Sequence, residues 1–279
     1  MSEPSPWAHA AVTHVDSTSA GRPVDRTWRI TMNFHPDRGA EDLLTIEAMV
    51  RDGIYRSQFE TGTSNGGLTA HPGGDRWLWE RRIFGGAYDD APHEERPKYG
   101  ALDHRRRPLG GAPRFGSAHL RLAEHMLDRA TFCFPDSAMV PQHFATAHRF
   151  DLMPLVEVAR GDLLDRYVEA QVHGVVDLTS DVEAIVLDPS HRDTVVETAA
   201  RRLRLPVEWH EGRILPVARL DEHADYRDPD AVEVGHAIAR DGLIDARTIG
   251  DAARTGRHHP QALKQVWHHT ARHGRPYEK

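Results

Sequence analysis

Apolar and polar residues alternate along several short stretches of this chain, and a period of two predicts strands. Over 27–34, Trp28, Ile30, Met32 and Phe34 alternate with Arg29, Thr31 and Asn33. Over 114–122, Ala118, Leu120 and Leu122 oppose Ser117, His119 and Arg121, with 129–134 expected as a neighbouring strand. Over 167–174, Val168, Ala170 and Val172 oppose Glu169, Gln171 and His173, and 181–187 is apolar enough to be a further strand. Helical spacing predicts helices over 40–51, stopped by Gly53, over 154–166, and over 191–203 behind Ser190 as N-cap. Residues 206–216 read as a hairpin closed near Glu211-Gly212, and 232–240, 246–253 and 262–273 as three helices of a C-terminal tail.

One predicted strand departs from the pattern. Ile54, Tyr55 and Phe59 supply an anchor while Arg56, Gln58 and Glu60 lie on the other face, and the run enters Gly62-Thr63-Ser64-Asn65-Gly66-Gly67. An arginine and a carboxylate aimed to one side before a glycine turn suit a polar, phosphorylated ligand. From 62 to 111 the chain holds 10 of its 22 glycines together with Pro72, Pro92, Pro97 and Pro108, which predicts a long functional loop or lid. Trp77, Trp79, Tyr88 and Tyr99 argue against simple disorder there.

Composition narrows the class. With 279 residues, 39% of them hydrophobic, the chain can bury a substantial core. A formal charge of −7 argues against nucleic acid as a partner, and Arg105-Arg106-Arg107 reads as a solvated loop. The one cysteine, Cys133, sits between Phe132 and Phe134, so a buried strand thiol is expected. No run reaches the roughly 20 apolar residues of a membrane span. The Ser-, Pro- and Ala-rich start shows no Sec-type signal, so the expected location is the cytoplasm, with signal-less export as an effector the alternative.

Chemical fingerprints are sparse. There is no P-loop, no dinucleotide-binding G-x-G-x-x-G, no H-E-x-x-H and no cysteine cluster. Gly62-Thr63-Ser64-Asn65-Gly66 matches the G-x-S-x-G of a nucleophile elbow, giving a serine hydrolase acting through Ser64 as the rival function. Its flanks do not fit, since the preceding strand is polar and Pro72 with Gly73-Gly74 precludes an immediate long helix. The twenty histidines include His269 and His273 at helical spacing, yet they define no ligand set, and no metal is expected.

Arg56, Ser117 and Glu169 fall in this order on the polar faces of three predicted strands. That order resembles the R-S-E arrangement of the mono-ADP-ribosyltransferases. The sequence over roughly 26–220 also resembles a bacterial family of unknown function related to that fold. The segments carrying the resemblance are Asn33-Phe34-His35-Pro36-Asp37-Arg38, the 55–67 run, Pro97-Lys98-Tyr99-Gly100-Ala101-Leu102, Phe115-Gly116-Ser117 and 167–174. The resemblance implies an α+β fold with a split antiparallel sheet, flanking helices and a helical C-terminal region. Its boundaries would be a flexible segment over 1–25, a catalytic domain over 26–224 and an extension over 225–279.

The implied activity is transfer of ADP-ribose from NAD to a protein or other macromolecular acceptor, with release of nicotinamide. Glu169 would stabilise the oxocarbenium-like state, Arg56 would grip the dinucleotide and Ser117 would orient Glu169. Ser57, Gly62, Thr63, Ser64, Asn65, Gly66, Tyr99 and Gln171 would line the NAD site, with Tyr99 stacking on the nicotinamide. Glu60 and Glu183 are the other candidate carboxylates. Tyr167 stands two residues before Glu169, where arginine-modifying members carry Glu and several others Gln, so the acceptor side chain stays open. His119 and His173 are candidates for deprotonating an acceptor. A non-catalytic binding module that keeps the fold is the third expectation.

Overall fold

The computed structural model describes residues 4–40, 43–62 and 69–277. Among them are ten α-helices and a mixed main sheet of eight strands, so the protein is α+β. From edge to edge the main sheet runs Val207–Trp209, Val182–Leu187, Ala118–Leu122, Ile30–Phe34, Lys98–Leu102, Val168–Val172, Ala130–Phe134 and His143–Thr146. Two compact units divide the chain, each built from three stretches. The first comprises Met1–Met32, Asp52–Ala112 and Arg121–Glu183, and the second Asn33–Arg51, Pro113–Leu120 and Ala184–Lys279.

In the first unit the strands pair antiparallel. Val168–Val172 lies between Lys98–Leu102 and Ala130–Phe134, and His143–Thr146 pairs with the outer side of Ala130–Phe134. Because Val168–Val172 is flanked on both sides, all five of its residues are buried, including those the alternation assigns to a polar face. The helix Pro6–Thr18 occupies much of the stretch expected to be a flexible lead-in. Ser5 caps it, and Ala8, Ala11 and Val15 are buried along one face at helical spacing. Ala11 and Val15 join Trp79, Ile83, Phe84, Tyr88 and Cys133 in one apolar cluster. Thr146 Oγ1 donates to the Asp16 carboxylate at 2.6 Å, fastening the last turn of the helix.

The expected strand over 55–60 is replaced by a two-residue bridge, Ile54–Tyr55, paired with Val176-Asp177, and a one-turn helix, Gln58–Thr61. Ser57 Oγ accepts from the Glu60 N–H and the Glu60 carboxylate accepts from the Ser57 N–H, a complete capping box that outcompetes extension. The glycine-rich stretch likewise is not one loop, since it contains the helix Asp75–Ile83 and the strand Lys98–Leu102. The helix expected over 154–166 is only Met153–Val158.

In the second unit, Val182–Leu187 and Val207–Trp209 run parallel, joined through the helix Val195–Arg202, which Thr194 caps in place of Ser190. The main sheet is therefore mixed, and 206–216 is not a hairpin: Leu215–Pro216 pairs instead with Leu243–Ile244. The tail helices are Pro229–Ile238, Ala246–Arg254 and Pro260–His273, close to their expected positions. Gly250 lets the middle helix approach Asp37, for a Cβ built there would lie 1.5 Å from an Asp37 carboxylate oxygen. Gly250→Ala is expected to cost about 1–3 kcal/mol through overpacking, read as a lowered thermal midpoint. An unchanged midpoint would contradict this packing.

Candidate active site

Glu169 lies opposite Ala101 on one neighbouring strand and Cys133 on the other. Its strand face also carries Gln171 and His173, both 0% exposed, whereas Glu169 retains 6%. Of the three, Glu169 is the one a ligand can reach. Polar groups removed from water need partners, and Glu169 has them: its Oε2 accepts from the Ser137 N–H at 3.2 Å and the Ser137 hydroxyl at 2.9 Å, and its Oε1 from Gln171 Nε2 at 3.0 Å. Ser137 opens the short 3-10 turn Ser137–Met139, which Asp136 caps. Arg76, from the helix Asp75–Ile83, donates to Ser137 Oγ at 3.1 Å. Burial raises the Glu169 carboxyl above its ordinary range, while Arg76 opposes that shift.

Behind Glu169 runs a hydrogen-bond chain with one direction of donation. Tyr88 Oη bonds His173 Nδ1 at 2.7 Å, and His173 Nε2 bonds Thr131 Oγ1 at 2.9 Å. Thr131 Oγ1 donates to Gln171 Oε1 at 2.8 Å, and Gln171 Nε2 donates to Glu169. Since the threonine proton goes to Gln171, His173 must donate from Nε2 and accept at Nδ1, which fixes a neutral tautomer. Burial, with Arg129 and Lys98 adding to it, depresses His173 to about 3. Its full burial and occupied nitrogens exclude the acceptor-deprotonating role considered for it; it belongs to the scaffold behind the carboxylate.

A second charged pair lies in the same unit. Glu80, 0% exposed, accepts from Arg96 at 2.7 Å and from the Tyr99 hydroxyl at 2.8 Å. The Arg76 guanidinium lies 3.9 Å from the centroid of the Tyr99 ring, and that of Arg96 lies 4.3 Å from the centroid of Phe59. Ser57 Oγ donates to the His93 carbonyl at 2.8 Å. Contacts thus run continuously from the Ser57 cap through Arg96, Glu80, Tyr99, Arg76 and Ser137 to Glu169.

The expected site residues fall as follows. Arg56 is in the same unit as Glu169, with its side chain 41% exposed and its Nε 2.8 Å from Asp52. Gly62 closes the helix Gln58–Thr61 at φ +63°, donating to the Gln58 carbonyl at 2.9 Å. Thr63, Ser64, Asn65 and Gly66 lie outside the described residues. Tyr99 and Gln171 are engaged by Glu80, Arg76, Thr131 and Glu169 as above. Ser117 belongs to the second unit, where its carbonyl accepts from His210 Nε2 at 2.7 Å. The serine that bonds Glu169 is Ser137. Glu60 is taken up by the cap, and Glu183 by Arg29 at 2.8 Å and Arg121 at 3.3 Å. Glu169, held by neutral donors, keeps its charge least committed of the three.

Arg76, Ser137, Glu80 and Arg96 were not anticipated. Arg76 and Glu80 at i, i+4, between two tryptophans, were a usable helix signal inside the glycine-rich stretch. Nothing local marks Ser137, because its role comes from Ala130–Phe134 pairing beside Val168–Val172.

Among the described residues no group of three or more His, Cys, Asp and Glu side chains is placed to hold a metal ion. Among them, too, no helix is long and apolar enough to cross a membrane. No curated protein matches the sequence. The profile of one family, described as a protein of unknown function (DUF3626), matches residues 29–159 and 152–274, which together span most of the chain. The chain belongs to the DUF3626 family.

Proposed function

We propose that this protein is an NAD-dependent mono-ADP-ribosyltransferase with Glu169 as its catalytic carboxylate, on a split-sheet core of the ADP-ribosyltransferase kind. The observation that carries the proposal is a nearly buried carboxylate oriented by the neutral donors Ser137 and Gln171, with the Arg76 guanidinium one hydrogen bond away. Such a group suits a reaction in which positive charge develops on a sugar carbon. The bond between nicotinamide nitrogen and ribose C1′ breaks, and its electron pair leaves with neutral nicotinamide. The acceptor nucleophile then bonds C1′ and releases its proton. Glu169 stabilises the oxocarbenium-like state, and the chain from Tyr88 to Gln171 keeps it in place.

Arg56, partly exposed and steered by Asp52, is assigned to the dinucleotide phosphates. Arg56→Ala is expected to raise KM for NAD about ten-fold or more with little change in kcat, as losing a charge-assisted contact implies. Steady-state kinetics check this, and a kcat loss at constant KM would remove Arg56 from that role. The function itself is tested by incubating the protein with NAD labelled on the adenosine side and a cell lysate. Label entering macromolecules with matching nicotinamide release is expected; intact NAD at the end of the incubation refutes the proposal.

A further inference from the structure

The second unit brings a set of cations together around one side chain of the tail. In the helix Pro260–His273, Trp267 Nε1 donates to the Pro113 carbonyl at 2.7 Å, and its ring meets His35 edge-on at 5.4 Å. Trp267 thereby fixes two segments beside the helix: the one bearing Arg114, next to Pro113, and the one bearing Arg38, three residues beyond His35. Lys264 and His268 lie one turn apart on the same helix. Gln265 accepts from the Asp228 N–H at 3.2 Å and so holds Arg227 nearby.

His268 is 3% exposed, and neither of its ring nitrogens makes a hydrogen bond of ordinary geometry. The charged groups acting on it are Arg114, Arg227 and Lys264, all positive, and after burial they help hold the imidazole at about 3. Those acting on Lys264 are Arg114, Arg38 and Arg227, again all positive. The carboxylate beside Arg38 is Asp37, which burial raises to about 6, so it neutralises the cluster only in part. A buried imidazole among like-charged neighbours is an unfavourable arrangement that an anion would relieve.

We propose that Arg38, Arg114, Arg227, Lys264 and His268 form a binding site for a small molecule bearing two linked phosphate groups. A carboxylate would match one of the four formal charges carried by the three arginines and the lysine. A diphosphate matches most of them and offers the oxygen edges that guanidinium forks grip in pairs. The imidazole N–H of His268 supplies a donor to the same oxygens. The assignment is independent of Glu169.

The test is calorimetric titration of the full chain with inorganic pyrophosphate at low and physiological salt. One saturable site is expected, weakened at least ten-fold by Arg38→Gln and by Lys264→Gln and preserved within a few-fold by Lys264→Arg. Arg201→Gln, at an arginine 65% exposed on the helix Val195–Arg202, should leave it unchanged. Failure to saturate, or equal losses in Arg201→Gln and Arg38→Gln, would overturn the site. Should the variants unfold, imidazole NMR of the wild type decides: pyrophosphate must shift the His268 ring signals, and unmoved signals refute the proposal.

Discussion

Glu169→Gln is expected to lower ADP-ribose transfer about 10²–10³-fold while leaving the fold intact, because the amide keeps the shape of the carboxylate and discards its charge. Both label transfer and nicotinamide release should fall together, with circular dichroism confirming an unaltered fold. Label persisting at the wild-type rate would exclude Glu169. The pH profile carries the same signature. Burial raises the Glu169 pKa, so the ionised form accumulates only above the ordinary carboxylate range, and the acid limb of kcat should lie correspondingly higher. Ser137→Ala provides a graded companion: with its charge retained and one donor lost, Glu169 should keep partial activity.

The largest effect on stability is expected from Arg96→Met. Arg96 is almost fully buried against Glu80, and its removal leaves a buried carboxylate without its cation, at a cost of about 3–5 kcal/mol by urea denaturation. The loss should depend on pH in a defined direction. Burial raises Glu80 from 4.5 to about 7, despite the Tyr99 hydrogen bond and the Arg96 charge. Between these values the native state holds a proton that the unfolded chain has released, so this group's contribution to stability falls as pH rises and levels off above about 7. Without Arg96 the native pKa rises further and the fall continues, so the gap between variant and wild type should widen from pH 5 to pH 8. A gap independent of pH would mean that Glu80 is not the group left exposed to the loss. Glu80→Gln in the Arg96→Met background should recover part of it.

Much of the architecture was legible in local pattern. Alternation located the strands at Ala130–Phe134 and Val168–Val172, and helical spacing with N-caps and stops located the three tail helices to within a few residues. Periodicity reports which residues share a face, whereas cover for that face comes from elsewhere in the chain. Glu169, Gln171 and His173 do share one, yet partners such as Ser137, Thr131 and Tyr88 keep it from solvent. The helix Asp75–Ile83 was hidden for a related reason, since it buries Arg76 and Glu80 beside Trp79 and Ile83 and so shows no clean apolar stripe. At 55–61 the signal was present and overridden by the strand expectation: Ser57-Gln58-Phe59-Glu60 spells the S-x-x-E of a capping box. The parallel pairing of Val207–Trp209 depends on a partner about twenty residues earlier, which no short window contains.

The interleaving of the two units bears on how the protein is made. Each draws on three separate stretches, and Trp267, which clasps Pro113 and His35 in the second unit, comes almost last. During synthesis from the N-terminus, Asn33–Arg51 and Pro113–Leu120 leave the ribosome long before the helix that covers them. Nascent chains stalled before residue 260 should therefore bind chaperones through those uncovered segments, and a shortened gene ending near 224 would yield an incomplete second unit.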